Sequence, residues 1–166
     1  KSDNLTDTVA RTLLINLSSA KAQGLGDDIP TQEQLIAQAA AQIKGEPAKK
    51  IYANADLTIT TNTSNALAAY GNAFMEAVSA HPGASYSATI YAVGTSTDNA
   101  NPSSLKSLTS IGAEYAALAR DLSGVAVPAT LVPIHLQVVN NFERMSETYA
   151  AMKNIYTDPL RALASF

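Results

Sequence analysis

The chain has no cysteine and no tryptophan, few charges, and no long apolar run. Without cysteine there are no disulfides, no thiolate metal sites and no cysteine nucleophile. A helical protein of this size does not need disulfides, so the lack fits a bacterial extracytoplasmic domain as well as a cytosolic one. Charged residues are only 15% of the chain, against roughly 25% in average soluble proteins. The polar surface must therefore be built from Asn, Gln, Ser and Thr, a composition that suits a compartment outside the cytoplasm. A net charge of −3 offers no basic face, which excludes nucleic acid and anionic lipid as expected partners. No 18-residue apolar stretch and no signal-like region occurs. Because the chain starts at Lys1 without Met, a processed N-terminus or a preceding signal or membrane anchor is expected. At the other end, Asp158-Pro159 opens a helix that is expected to continue beyond Phe166.

What is present is a core's worth of apolar residues: 46% of 166 positions, enough for one ordinary folded domain spanning 1–166. The strongest pattern lies near the C-terminus. Leu131, His135, Val138, Phe142, Met145, Tyr149, Met152 and Tyr156 are spaced alternately four and three apart. That spacing puts all eight on one stripe of a long helix.

Caps and periods place the other helices. The first begins after Asn4 or Thr6, carries Val9, Leu13 and Leu17 with Ala10 and Leu14 widening the face, and ends at Gly24 and Gly26. A second opens at Thr31, with Gln34 at capping-box spacing, and runs through Leu35, Ile36, Ala39, Ala40 and Ile43 to Gly45 and Pro47. A third spans Ser64 to Ala80 and is stopped by His81-Pro82-Gly83. A fourth runs from Ser103 or Ser104 to Ser123 with Leu105, Leu108, Gly112, Tyr115, Ala119 and Leu122 on one face. Gly124 and Val127-Pro128 then turn the chain into the heptad helix, and so short a connection predicts an antiparallel hairpin. Two irregular segments connect these elements. Residues 46–62 alternate at Leu57-Thr58-Ile59-Thr60 and are expected as an extended connector pinned by Ile51, Tyr52, Leu57 and Ile59, because an isolated strand is poorly stable. Residues 82–102 contain Tyr86, Ile90, Tyr91 and Val93, in a strand or two helical turns, followed by a polar loop from Gly94 to Pro102. The expected fold is all-α: a bundle of about five main helices with a long C-terminal antiparallel hairpin.

No catalytic constellation emerges. The nucleophile-elbow, phosphate-loop and dinucleotide-binding glycine patterns are absent, and Gly24-Leu25-Gly26 lacks a third glycine and follows a helix. His135 falls on the apolar stripe, where a core histidine hydrogen-bonded to a neighbouring helix is the expected role. A di-metal bundle would show Glu-x-x-His pairs, but Val78 and Val132 stand three before His81 and His135. His81 is explained by a helix C-terminus. Glu143 and Glu147 share a face beside Arg144 and read as a solvated surface. Gly71, Gly112 and Ala119 on apolar stripes mark close helix approach or, alternatively, the lining of a gap. Tyr52, Tyr86 and Tyr91 lie in the irregular segments, as anchors to the bundle or as a partner surface.

The order Ile51-Tyr52, Asp56-Leu57-Thr58-Ile59, Tyr70-Gly71-Asn72, Val127-Pro128, His135-Leu136, Asn140 and Asp158-Pro159-Leu160 resembles a group of uncharacterised bacterial proteins. These are small, mostly helical extracytoplasmic domains of ultra-small bacteria of the candidate-phyla type, usually behind an N-terminal signal or membrane anchor. The similarity spans nearly the whole chain apart from the loop at Gly94 to Asn101. It implies an envelope or surface setting, a tether before Lys1, and no particular reaction. The expectation is a non-enzymatic interaction or structural domain with an unidentified protein partner, no cofactor and no metal. The alternative is a bundle holding a small apolar ligand among Phe74, His135, Phe142, Met145 and Met152; an enzyme without a recognisable motif stands third.

Overall fold

The computed structural model describes residues 4–44, 49–98 and 102–165. It is mostly helical, 73% helix, and among the described residues the only sheet has two strands, which makes the protein all-α. The chain divides into two compact units: Lys1–Glu46 with Asn154–Phe166, and Pro47–Lys153.

The first unit contains α1 (Leu5–Ala22), α2 (Ile29–Ala40) and, from the far end of the chain, α7 (Pro159–Ala164). The Asn4 side chain caps α1 by accepting the Asp7 N–H, the first of the two starts that the sequence allows. The C-terminus of α1 closes with the Leu25 N–H on the Ala20 carbonyl and the Gly24 N–H on the Lys21 carbonyl. That crossed pair needs a left-handed residue, and Gly24 supplies it at φ 77°. The start of α2 differs from expectation. Asp28, not Thr31, is its N-cap; its carboxylate accepts both the Thr31 N–H at 3.0 Å and the Thr31 hydroxyl at 2.6 Å. Pro30 fits the first turn, where its missing N–H costs nothing. The helix ends at Ala40; Gly45 and Pro47, its expected stop signals, lie outside the described residues.

The second unit holds β1 (Ile59–Thr60), α3 (Ser64–Ala80), α4 (Tyr86–Asp98), α5 (Lys106–Ser123), β2 (Val127–Pro128) and α6 (Val132–Met152). The α5 stripe is buried at Leu108, Ile111, Gly112, Tyr115, Leu118, Ala119 and Leu122, with Leu105 also buried just before it. It packs along α6. Leu122 meets His135, Tyr115 meets Phe142 and Tyr149, and a Cβ at Gly112 would lie 3.2 Å from the Ser146 carbonyl and 3.3 Å from Tyr149 Cβ. Gly112 therefore is a close-approach glycine. Gly71 is not, because a Cβ there meets nothing within 4 Å. Around Tyr52, Leu118, Ala119, Leu122 and Val139 the core gathers Phe74, Val78, Leu136 and Phe142.

Three expectations are corrected. The heptad stripe ends early: α6 stops at Met152, and Tyr156 lies beyond the helix, 44% exposed. The Leu57–Thr60 alternation is not a lone extended stretch, since Ile59 and Thr60 pair in parallel with Val127 and Pro128, and the Val127 N–H reaches the Thr58 carbonyl at 2.8 Å. Finally, Gly94 to Asp98 continues α4 rather than forming a loop. The Thr95 hydroxyl donates to the Tyr91 and Ala92 carbonyls, so the polar side chain folds onto its own helix. Residues 99–101, the rest of that expected loop, lie outside the described residues.

Candidate functional site

Helix α4 is amphipathic in an unusual sense. Thr89 and Ala92 are buried where the helix packs on α5, and the Thr89 hydroxyl donates to the Ser85 carbonyl at 3.1 Å. The outward residues are large: Tyr86 is 73% exposed, Tyr91 75%, and Ile90 more than half exposed. Tyr86 and Ile90, four apart, share one side of the helix, and Tyr91 flanks them. Two aromatic rings and a branched aliphatic chain are thus held on a helix and open to solvent. Scattered apolar residues on a surface are ordinary, but exposed tyrosines combine apolar area with a hydrogen-bonding tip, the character of recognition surfaces.

Tyr52, grouped with these two by sequence, is elsewhere. Its ring is buried in the core cluster, its hydroxyl accepts from Lys50 Nζ at 2.6 Å, and the same ammonium sits 4.1 Å from the ring centroid. That hydrogen bond holds the Lys50 ammonium above its usual pKa. Asn140 of α6 brackets the Tyr52 backbone: Oδ1 accepts its N–H at 2.7 Å and Nδ2 donates to its carbonyl at 3.0 Å. Glu147, expected as plain solvated surface, accepts the Lys49 and Lys50 N–H groups at 2.7 and 3.2 Å. Tyr52 is therefore an anchor of the connector, and the candidate partner surface reduces to Tyr86 and Tyr91. Nothing in the local pattern signals Asn140 or Glu147, because their partners lie 88 to 98 residues away.

No protein-family model matches this chain, and no curated protein or solved structure does. Its chemistry is carried by the geometry alone.

The five residues of the alternative ligand pocket are distributed through the core. His135 is 1% exposed; its ring lies 5.6 Å from Tyr70 and 6.4 Å from Phe74. Phe142 instead stacks on Tyr115 at 5.8 Å, Met145 is half-buried, and Met152 is buried. A cleft of about 200 Å³ opens beside Tyr70, lined by Thr60, Ala66, Ala69, Ala73 and Ala126 and by none of those five.

Both histidines are held by geometry. With Nε2–H donated to the Leu122 carbonyl at 3.1 Å, His135 Nδ1 accepts the Tyr70 hydroxyl at 3.1 Å. A neutral ring satisfies both bonds, and burial pushes its pKa down despite the carbonyl. His81 is the C-cap of α3. Its Nε2 lies 2.8 Å from Asp121 and its Nδ1 3.3 Å from Glu114, both on α5. The Asp121 hydrogen bond leads in raising its pKa, and Glu114 adds to it against a partial desolvation. The two carboxylates approach opposite ring nitrogens and so do not converge on one point. Among the described residues no three His, Cys, Asp or Glu side chains group to hold a metal ion, and no helix is long and apolar enough to cross a membrane.

Proposed function

We propose that the protein is a non-enzymatic interaction domain that presents the α4 face to a protein partner. The carrying observation is that Tyr86 and Tyr91 are each about three-quarters exposed on a helix that packs on α5 and buries Thr89 and Ala92. A rigid helix holding exposed aromatics loses little entropy on binding, which is how a small patch reaches useful affinity. In this reading α5 and α6 form the antiparallel hairpin that frames a helical bundle. The opposed order of their contacts supports it, with Leu122 near His135 and Gly112 near Ser146. The setting we propose is the bacterial envelope or surface, outside the cytoplasm, with the domain tethered through a segment before Lys1. Sparse charge and the envelope-protein resemblance support that setting.

Photo-crosslinking tests the surface directly. A benzophenone amino acid at Tyr86 or Tyr91, expressed in the source cells, is expected to capture the same discrete protein from both positions. The same group at exposed Gln137 of α6 is the control. Equal labelling from all three positions, or none from α4, would remove α4 as the partner surface.

A further inference from the structure

The first unit carries a surface that this function does not use. Between α1 and α2 lies a groove of about 420 Å³ whose walls are Leu13 and Leu17 on one side and Leu35 and Ile36 on the other. Lys21 and Asp27 stand at its hairpin-loop end. Its walls continue outward. Leu14 lies three residues before Leu17 and Ile29 seven before Ile36, so helical spacing aligns each pair along the groove. Leu14, Leu17, Ile29 and Ile36 are between 39% and 67% exposed. The interior beneath is thin: the buried apolar residues of α1, α2 and α7 are Val9, Ala20, Ala39 and Ala162. A unit of this size with so little aliphatic burial gains much from a further layer.

We propose that the layer is the α1–α2 hairpin of a second copy, forming an isologous four-helix dimer. Three observations point to a second copy over another occupant. The patch supplies both a groove and aliphatic ridges, and self-complementarity is what a two-fold interface demands. Its charges are one of each sign. A two-fold axis along the hairpin sets α1 of each copy beside α2 of the other, with both loops at one end and Lys21 opposite Asp27. A basic or acidic partner would instead call for a patch of one sign. The area also fits. The four exposed aliphatic side chains offer roughly 450 Å² per copy, more than half of the ~800 Å² per partner in a standard interface, and near the apolar share such interfaces show. Residues of the α4 face take no part, so this inference stands apart from the proposed partner surface.

Sedimentation equilibrium of the full chain tests it. A concentration-dependent dimer is expected. Leu14→Ser with Ile36→Ser should give a monomer whose helical circular dichroism is retained. The decisive variants reverse charge without touching the apolar patch. Lys21→Asp is expected to weaken the dimer about tenfold, and adding Asp27→Lys to restore it to within about threefold, because the pair is re-formed with its signs exchanged. A wild-type chain that stays monomeric up to about 100 µM overturns the proposal. So does a dimer indifferent to the Lys21 and Asp27 exchange. If that monomer takes up dodecyl maltoside below its micellar concentration, the groove belongs to an amphiphile and the proposal is equally overturned.

Discussion

Single residues separate packing from accident most clearly at the glycines and histidines. Gly71 sits mid-helix with open space where a Cβ would go, so Gly71→Ala is expected to stabilise by about 0.5–1 kcal/mol through lost unfolded-state freedom. Gly112→Ala must push the Ser146 carbonyl or Tyr149 aside, and is expected to cost about 1–3 kcal/mol. Urea denaturation of the two variants, read as opposite shifts of the midpoint, checks both. The histidines should pull the pH profile in opposite directions. His135 has a lowered folded pKa, so its contribution is complete above about pH 6.5 and is lost as pH falls through that lowered value. His81 has a raised folded pKa, so its contribution is complete below about pH 6.5 and is lost as pH rises through the raised value. Unfolding midpoints measured from acid to alkaline pH should show His135→Asn flattening the acid-side decline and His81→Asn flattening the decline above neutrality. Identical slopes in wild type and variants would separate these rings from the stability.

At the level of elements, two anchors hold segments that propensity alone would leave loose. Asn140 serves the Tyr52 backbone in both directions, as a neighbouring strand would. Asn140→Ala orphans a partly buried N–H and carbonyl and is expected to cost about 1–3 kcal/mol, with faster proteolysis between residues 49 and 62 as the local readout. Asp158 gathers the N-termini of α1 and α7. Its carboxylate accepts the Leu5 and Thr6 N–H groups, each at 2.9 Å, and the Thr6 hydroxyl at 2.8 Å, while the Leu160 N–H donates to Thr6 Oγ1 at 3.0 Å. Burial pushes the Asp158 pKa up, but these donors outweigh it and hold the carboxyl below its usual range. Its stabilisation is therefore present above about pH 3.9 and is lost as pH falls through the lowered folded value. Asp158→Ala at neutral pH is expected to cost about 2–4 kcal/mol in thermal or urea unfolding, since it removes the α7 cap and the acceptor for the Leu5 and Thr6 N–H groups of α1 at once. These anchors also mark where sequence reading stops. The α5 stripe and the ends of α1 and α3 were legible because caps and periods are local signals. The β1–β2 pairing, Asn140 with Tyr52, Glu147 with the connector, and Asp158 with α1 join residues 68 to 153 apart. No local period encodes them. The misread loop at Gly94 has a different cause: the run is polar, yet the Thr95 hydroxyl folds back onto its own helix.

For the whole molecule, the proposed function makes the core a scaffold and the α4 face the recognition surface. Phe142 is half-buried against Tyr115 rather than sealed in the core, so Phe142→Ala is expected to cost about 2–3 kcal/mol, below the 3–5 of a fully buried ring. The candidate site was legible only as three tyrosines in irregular segments; that Tyr52 faces inward depends on its pairing with Asn140, 88 residues away, and that Tyr86 and Tyr91 face outward depends on α4 being a helix that buries Thr89 and Ala92. The most direct measurement pairs melting temperature with partner capture in the same variants. Tyr86→Ser with Tyr91→Ser should leave the melting temperature within about 2 °C of wild type, as surface changes do, and abolish capture of the crosslinked partner. Tyr52→Ser should do the reverse, lowering the melting temperature by several degrees while the folded fraction still binds. A clear drop in melting temperature for the α4 pair with capture intact would contradict the account and assign those tyrosines to the fold.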